Sequence, residues 1–113
     1  MEKTKYIFEL VNAKNLDSCK IYPGAKLRMT AIGKNVTIGE DSYISKSVIG
    51  DYVQINRRNQ IEDVIIGNRT FTGANTVIHH AEIGKFTSIS WNVSFGGWKG
   101  TIIKEYLLTL SIN

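Results

Sequence analysis

The sequence predicts an all-β protein, a triangular coil of parallel strands with about five turns and an irregular C-terminal tail. Three observations predict this fold. The dipeptide Ile-Gly recurs every 17 residues, each interval divides into segments of six, six and five residues, and a small or β-branched residue stands two positions before nearly every segment. A helix of period 3.6 or a simple alternating strand would not give this spacing.

The repeat extends over most of the chain. Ile-Gly occurs at Ile32, Ile49, Ile66 and Ile83, and the stretch from Asn15 to Ala31 has the same division, which gives four complete turns and most of a fifth. Each segment is expected to form one side of the triangle, with its first residue, usually aliphatic, pointing inward. The five-residue segments are expected to stack as one edge, and Gly or Asn after the inward residue is expected to suit the turn.

The second regular column holds small residues, which we expect near the corners, where a large side chain would clash. Asn59 is its one larger polar member and is expected to make a side-chain hydrogen bond within the column. Cys19 is expected to be a packed small residue and not a nucleophile. The column consists of Cys19, Ala25, Thr30, Val36, Ser42, Ser47, Val53, Asn59, Val64, Thr70, Thr76, Ala81, Thr87 and Val93.

Length and composition predict one domain of 113 residues, with a lead-in at 1–14, the repeat at 15–97 and a divergent tail at 98–113. A single cysteine excludes an internal disulfide and favours the cytoplasm. No membrane span or signal peptide is expected. The net charge of +4 favours anionic partners only weakly. Because the basic residues are dispersed and no stacking motif accompanies them, no nucleic-acid partner is expected.

The hexapeptides resemble those of the bacterial hexapeptide-repeat acyltransferases. This resemblance implies a left-handed parallel β-helix. The stretch from Ile83 to Gly97, IGKFTSISWNVSFGG, resembles more narrowly the branch of xenobiotic and sugar O-acetyltransferases. That branch implies a homotrimer, acetyl-CoA as a co-substrate in the groove between subunits, no bound cofactor, and a small acceptor with a hydroxyl group, such as a sugar. It also implies a following loop whose histidine, preceded by Asn, acts as the general base.

The chain departs from this pattern after Gly97, because no histidine follows His80. Shifting the reading frame by one base from Gly100 permits the string N-H-Y-K-R-I-S-T-H-P-F, which resembles the missing loop. We therefore hypothesise that the tail is a frameshifted or truncated version of the family's loop. Without a positioned imidazole, the expected loss of activity is about 10²–10⁴-fold.

Two residues are candidates for the catalytic base. His79 and His80 lie on a five-residue side, where one of them would face the groove; the alternative is that both are surface side chains. Two adjacent histidines do not converge as a zinc site on this fold requires, so no metal is expected.

The pocket candidates are Trp91, Asn92 and Trp98, which lie where the resemblance places the acceptor. Their alternative role is packing against a neighbouring subunit. Arg57 and Arg58 are candidates for contact with the phosphates of CoA, or they form a solvated charged corner.

Three functions follow from these observations. The first is an acetyl-CoA-dependent O-acetyltransferase by ancestry, weak or inactive for lack of the loop histidine. The second is a non-enzymatic structural remnant of that family. The third is a module that binds an acylated or glycan ligand. A histidine supplied from elsewhere in the chain would favour the enzyme over the other two.

Overall fold

The computed structural model describes the backbone of residues 7–103 and 107–108, and the side chains of residues 11–94 and 96. Almost all regular structure in this part of the chain is extended. The elements are β1 (Ile7–Ala13), a 3-10 helix (Leu16–Ser18), β2 (Lys20–Ile21), β3 (Lys26–Ile32), β4 (Thr37–Ile38), β5 (Tyr43–Ser45), β6 (Val48–Ile49), β7 (Gln54–Ile55), β8 (Gln60–Ile66), β9 (Phe71–Thr72), β10 (Val77–Ile83), β11 (Ser88–Ile89), β12 (Ser94–Ile103) and β13 (Leu107–Leu108).

The strands stack in parallel as a β-solenoid of about five turns, which confirms the predicted all-β fold. A seven-stranded sheet has the order β1-β3-β5-β8-β10-β12, with β6 pairing β3 and β8, and a six-stranded sheet has the order β13-β11-β9-β7-β4-β2. Within the repeat the partners stand 17 residues apart: Thr37 lies opposite Gln54, and Gln54 opposite Phe71. The long strands β3, β8 and β10 run along the five-residue sides, so these sides stack as predicted.

The inward column forms the core. Ile32 and Ile49 are each 2% exposed, and Ile66 and Ile83 are each 1% exposed. The inward residues of the other two sides, among them Ile38 and Ile44, are fully buried as well. Burial of one such side chain contributes about 1.5–3 kcal/mol. Because the column is continuous along the coil, neighbouring turns share one core.

The corners differ from the prediction. We expected the residue after each inward position to form the turn, but from Gly24 onward the left-handed backbone lies one residue before each small position. Because these residues point outward, the coil accepts bulky side chains such as those of Tyr52 and Phe86 in a conformation that favours Gly, Asn and Asp. The left-handed positions are Met29, Asn35, Asp41, Lys46, Tyr52, Arg58, Asp63, Arg69, Asn75, His80, Phe86 and Asn92.

The glycines after the inward residues are required by close packing between turns and not by a positive φ. Of the described glycines, only Gly24 and Gly96 have a positive φ. A Cβ atom on Gly73 would lie 2.5 Å from the backbone nitrogen of Trp91, and one on Gly67 would lie 2.6 Å from that of Lys85. The next turn therefore excludes a side chain here, so close approach between turns selects glycine.

The small column also bonds consecutive turns to each other. Thr70 Oγ1 donates to the carbonyl oxygen of Gly84 at 2.7 Å and accepts from the backbone N–H of Thr87 at 3.2 Å. Ser42 Oγ makes the equivalent bond with the N–H of Asn59 at 3.1 Å. These hydroxyls satisfy backbone groups at the corners, where the strand ladder is interrupted.

Asn59 makes the side-chain hydrogen bonds that its polarity predicts, although their partners lie outside its column. Its Nδ2 atom donates to the carbonyl oxygens of Gly73 at 2.9 Å and Arg57 at 3.1 Å, and its Oδ1 atom accepts from Thr72 Oγ1. Cys19 packs against the core while partly exposed, as expected of a small structural residue.

Both ends continue the coil. β1 pairs with β3, so residues 7–13 of the predicted lead-in form a strand. At the other end β12 pairs with β10, and the segment 97–100 lies opposite His80 alone, while β13 pairs with β11. The described part of the tail thus stacks as a further, irregular strand. No helix among the described residues is long and apolar enough to cross a membrane.

Candidate functional site

The two candidate histidines lie side by side on β10 with different surroundings. His79 occupies an outward position of the strand, opposite Glu62 of β8 and Gly96 of β12. His80 follows at the left-handed corner, with φ of 53°. The ring centroids lie 6.2 Å apart with an interplanar angle of 68°. The strand therefore presents one imidazole on a flat side and the other at the edge.

His80 is paired with a carboxylate. Its Nδ1 atom lies 2.8 Å from Asp63 Oδ2, the side chain at the equivalent corner of the preceding turn. The side chains of His80 and Asp63 are 45% and 62% exposed, so the pair contributes little to stability. A carboxylate bound at Nδ1 nevertheless orients the imidazole and favours the tautomer that carries the proton there.

His79 has an unsatisfied ring nitrogen. Its Nε2 atom is buried and has no hydrogen-bond partner among the described residues, although the residue as a whole is partly exposed. A buried polar atom without a partner costs about 1–3 kcal/mol. Because this atom is closed to solvent within the subunit, a ligand could bond to it only after the groups around it move, and the partly exposed remainder of the ring is what the strand offers to a ligand.

A groove of about 530 Å³ lies at another corner of the coil. We call it the aromatic groove. Trp91 and Phe71 line it with side chains that are 58% and 44% exposed. Its other main lining residues are Arg57, Gly73, Asn75 and Ser90.

The aromatic groove contains one of the three predicted pocket residues. Trp91 lines it, whereas Asn92 does not and uses its backbone N–H to donate to the carbonyl oxygen of Ala74 at 2.9 Å. The side chain of Trp98 lies outside the described residues. Phe71 was not predicted as a groove residue, because outward positions vary freely in the repeat. An aromatic residue in an outward column that is otherwise polar would have indicated it.

The two adjacent arginines differ in their bonding. Arg58 Nε donates to Asn75 Oδ1 at 2.8 Å, which ties this side chain to the corner of the next turn. Arg57 lines the aromatic groove, and its guanidinium makes no hydrogen bond or ion pair with any described residue. Of these two arginines, Arg57 is therefore the one whose guanidinium N–H groups are all available to an anionic ligand.

A second, more polar groove of about 480 Å³ adjoins the first and shares Asn56 and Phe71 with it. Tyr22, Glu40 and Gln54 also line it. The histidines and the aromatic groove lie at different corners. The chain from Asn75 to His80 crosses one side of the triangle in five residue steps, or about 16 Å of extended chain. The candidate residues thus fall into two groups on one subunit.

A third corner holds a structural charge cluster. Asp51 Oδ1 accepts from the backbone N–H of Lys34 at 3.1 Å and from Lys14 Nζ at 3.2 Å. The hydrogen bond from the backbone of Lys34, and after it the contact with Lys14, lower the pKa of Asp51 below its ordinary value of 3.8. Desolvation opposes this effect by raising the pKa. In the described part of the chain, no three His, Cys, Asp or Glu side chains come close enough to hold a metal ion.

Comparison with known sequences identifies the repeat. The profile of the family described as "GlmU-like, C-terminal hexapeptide" matches residues 10–96. A bifunctional protein GlmU from Lawsonia intracellularis is 34% identical over 87 residues, which cover 69% of this chain and 19% of that protein. A second GlmU, from Clostridium acetobutylicum, is 30% identical over 105 residues, or 78% of this chain and 21% of that protein. The chain thus spans about a fifth of the length of the curated relatives it matches.

Solved structures share the fold at low sequence identity. AntD, an N-acyltransferase from Bacillus cereus solved with dTDP and 3-hydroxybutyryl-CoA, superposes with a TM-score of 0.69 and 12% identity, over 88% of this chain and 69% of that one. WeeI from Acinetobacter baumannii superposes with a TM-score of 0.56 and 20% identity, over 88% of this chain and 50% of that one. The acetyltransferase domain of PglB from Neisseria gonorrhoeae, solved with acetyl coenzyme A, superposes with a TM-score of 0.52 and 9% identity, over 87% of this chain and 54% of that one.

These findings agree with the repeat and the solenoid described above, while the narrower xenobiotic and sugar O-acetyltransferase branch stays a prediction. The profile covers most of the chain, from within β1 to the first residues of β12. The chain belongs to the hexapeptide-repeat family described as GlmU-like, C-terminal hexapeptide.

Proposed function

We propose that this chain is an acyltransferase module that transfers an acyl group from a CoA thioester to a hydroxyl or amino group of a small, sugar-like acceptor. Its family membership and the acyl-CoA complexes of AntD and PglB support the reaction class. The observation that carries the residue assignment is the partly exposed imidazole of His79 at an outward position of β10, directly beside the His80–Asp63 pair. CoA would be a co-substrate and not a resident cofactor.

The proposed chemistry needs a base, because a neutral hydroxyl is a weak nucleophile. The imidazole of His79 would take the proton of the acceptor as the acceptor oxygen or nitrogen attacks the thioester carbonyl. The tetrahedral intermediate would then collapse with cleavage of the C–S bond, and the imidazolium would return its proton to the departing CoA thiolate. A positioned imidazole contributes about 10²–10⁴-fold to such a step.

His80 and Asp63 would support this base without contacting the acceptor. Their hydrogen bond at 2.8 Å fixes the neighbouring ring at the corner, directly after His79. This pair would restrict the orientation of the His79 ring. We therefore treat His80 as a positioning residue and as the alternative base.

We further propose that the working form is a homotrimer. The histidines and the aromatic groove lie at different corners of one coil, so cyclic assembly could bring the groove of one subunit to the histidines of the next. An elongated co-substrate such as acyl-CoA would fit between adjacent coils in this arrangement.

The alternative function is a structural or ligand-binding member of the family without catalysis. It applies if neither His79 nor His80 reaches the acceptor, and the burial of the His79 Nε2 atom favours it. The two proposals differ in one measurable property, the release of free CoA that depends on an acceptor.

The test measures CoA thiol release from acetyl-CoA in the presence of a panel of amino sugars and sugar phosphates. We expect acceptor-dependent release by the native chain and a fall in kcat of about 10²–10⁴-fold in His79→Gln, with little change in KM. His80→Asn keeps a residue suited to the left-handed corner and should lose less. Lys85→Gln, an exposed change at another corner, is the matched control. No release by the native chain would favour the alternative, and loss in His80→Asn alone would assign the base to His80.

A further inference from the structure

We propose that the third corner of the coil, which holds the structural charge cluster, docks on a membrane surface that carries anionic lipids. The docking surface, which we call the basic ridge, consists of Lys34, Tyr52, Arg69, Lys85 and Phe86. None of these residues lines the aromatic groove or the second groove. The proposal therefore goes beyond acyl transfer and does not depend on it.

The two aromatic residues of the ridge stand where the fold alone gives no reason for them. Tyr52 and Phe86 have φ of 58° and 55°, a left-handed conformation that favours Gly, Asn and Asp, and an earlier turn carries Asn35 at the same corner. Their side chains are 40% and 65% exposed, so burial in the core does not offset the unfavourable backbone. Bulky aromatic residues in such a conformation indicate contact with something outside the subunit.

Backbone hydrogen bonds between turns hold the ridge in place. The N–H of Tyr52 donates to the carbonyl oxygen of Lys34 at 2.9 Å, and the N–H of Phe86 donates to that of Asn68 at 3.0 Å. Because consecutive turns lie about 4.8 Å apart, the two aromatic residues are separated by about 10 Å along the corner. The ridge is therefore a fixed, projecting edge of the coil.

The ridge is also the positively charged corner. Each of the other two corners has one Lys or Arg and one Asp among its left-handed positions, whereas this corner has Arg69 and no acidic residue. Lys34, Arg69 and Lys85 form no ion pair with any residue that the structure describes. Basic residues that are dispersed in the sequence thus come together here.

Two acidic side chains near the ridge do not cancel this charge. Asp51 is paired with Lys14 at 3.2 Å. Asp17 lies at the N-terminal end of the ridge, next to Ser18, whose Oγ accepts from the backbone N–H of Asn35 at 2.8 Å. With Lys14 and Asp51 included, four positive charges face two negative ones, which leaves an excess of two positive charges.

The cations surround Tyr52 and leave Phe86 free. The guanidinium of Arg69 lies 4.4 Å from the centroid of the Tyr52 ring, and the Nζ atom of Lys34 lies 5.8 Å from it. These contacts hold both cations beside the ring. Since a single-stranded nucleic acid stacks its bases on a series of open aromatic faces, the occupied ring of Tyr52 makes a nucleic-acid partner the less suitable one.

An anionic bilayer suits a projecting edge of this composition, whereas a small ligand needs a concave site. An exposed aromatic side chain such as that of Phe86 can enter the boundary between headgroups and acyl chains. The neighbouring cations, Arg69 and Lys85, are attracted to anionic headgroups. In the proposed cyclic assembly, the histidine corner of one subunit meets the aromatic groove of the next, so the third corner faces outward and stays accessible.

The experiment is co-sedimentation of the native full chain with vesicles of phosphatidylcholine, alone or mixed with phosphatidylglycerol. We expect binding to the anionic vesicles that is at least about tenfold tighter than binding to the neutral ones. Raising NaCl from 0.1 to 1 M should abolish the difference, because the Debye length falls from about 10 to about 3 Å.

Three variants replace a left-handed corner residue by asparagine, which this conformation favours, so each should fold. Phe86→Asn and Arg69→Asn should each weaken binding to the anionic vesicles by about 5- to 10-fold, and Arg69→Lys should retain it. Lys46→Asn removes the same charge at an exposed corner with φ of 52° and is the matched control, with a change below about twofold.

Equal binding to neutral and anionic vesicles, binding to neither, or unchanged binding in both Phe86→Asn and Arg69→Asn would overturn the proposal. Displacement of the chain from vesicles by a single-stranded oligonucleotide, together with tight binding of that oligonucleotide in the absence of lipid, would assign the ridge to a nucleic acid instead. A lower mass of Phe86→Asn or Arg69→Asn in light scattering would show that a second copy of the chain covers the ridge, which would also contradict membrane docking.

Discussion

Replacing Ile66 by aspartate is expected to prevent folding. Ile66 is 1% exposed at the end of β8, between Ile49 and Ile83 of the adjoining turns. The change removes about 1.5–3 kcal/mol of apolar burial. It also places a carboxylate among aliphatic side chains without a partner, at a cost of several kcal/mol. Together these losses are comparable with the 5–15 kcal/mol that stabilises a typical domain.

Two further variants serve as references for the loss of stability expected in Ile66→Asp. Ile66→Val removes one methyl group from the same site and should cost about 0.5–1.5 kcal/mol. Lys46→Asp places the same carboxylate at an exposed corner with φ of 52°, a conformation that aspartate tolerates. Its expected cost is below about 1 kcal/mol, since surface substitutions usually have small effects.

The assay is thermal unfolding by circular dichroism at one protein concentration, because assembly would make the melting temperature depend on concentration. We expect native-like melting for Lys46→Asp, a small decrease for Ile66→Val, and no cooperative transition for Ile66→Asp. Equal melting temperatures for the two aspartate variants would refute the assignment of inward and outward positions.

Three other predictions concern the corners and the assembly. Thr70→Val should destabilise the chain by about 1–3 kcal/mol in denaturant titration, because it leaves corner backbone groups unpaired, whereas Thr70→Ser should be close to native. Since the folded-state pKa of Asp51 is lowered, its contribution to stability is present above the unfolded-state pKa and is lost as pH falls through the folded-state pKa; Asp51→Asn should therefore flatten the acid side of the stability curve below about pH 4. An unchanged acid side would contradict this. Light scattering should give three times the chain mass of 12.7 kDa, and a monomer at micromolar concentration would argue against the trimer.

The sequence predicts the coil because its period is set by burial. Inward positions such as Ile66 and small positions such as Val64 are buried in the same way in every turn. Both columns therefore appear as periodic patterns in the sequence alone. The irregular parts were harder to predict. β1 lies outside the 17-residue spacing, since Ile7 pairs with Lys26, and the pattern therefore did not predict it as a strand.

The turn geometry could not be predicted from residue types, because exposed corners accept bulky side chains in the left-handed conformation. Tyr52 stands at such a corner, and glycines such as Gly67 are instead selected by the approach of the next turn. The residues that line the aromatic groove could not all be predicted for a similar reason. Outward residues such as Phe71 are free to vary within the repeat, so no periodicity marks the groove that it lines with Trp91.

Calorimetric titration of the native chain with acetyl-CoA is the most direct test of the proposed acyltransferase function, because binding of a CoA thioester precedes any transfer. We expect saturable binding with one site per subunit and competition by free CoA. Absence of heat at millimolar acetyl-CoA, together with no competition by CoA, would contradict the proposed function and leave the structural role.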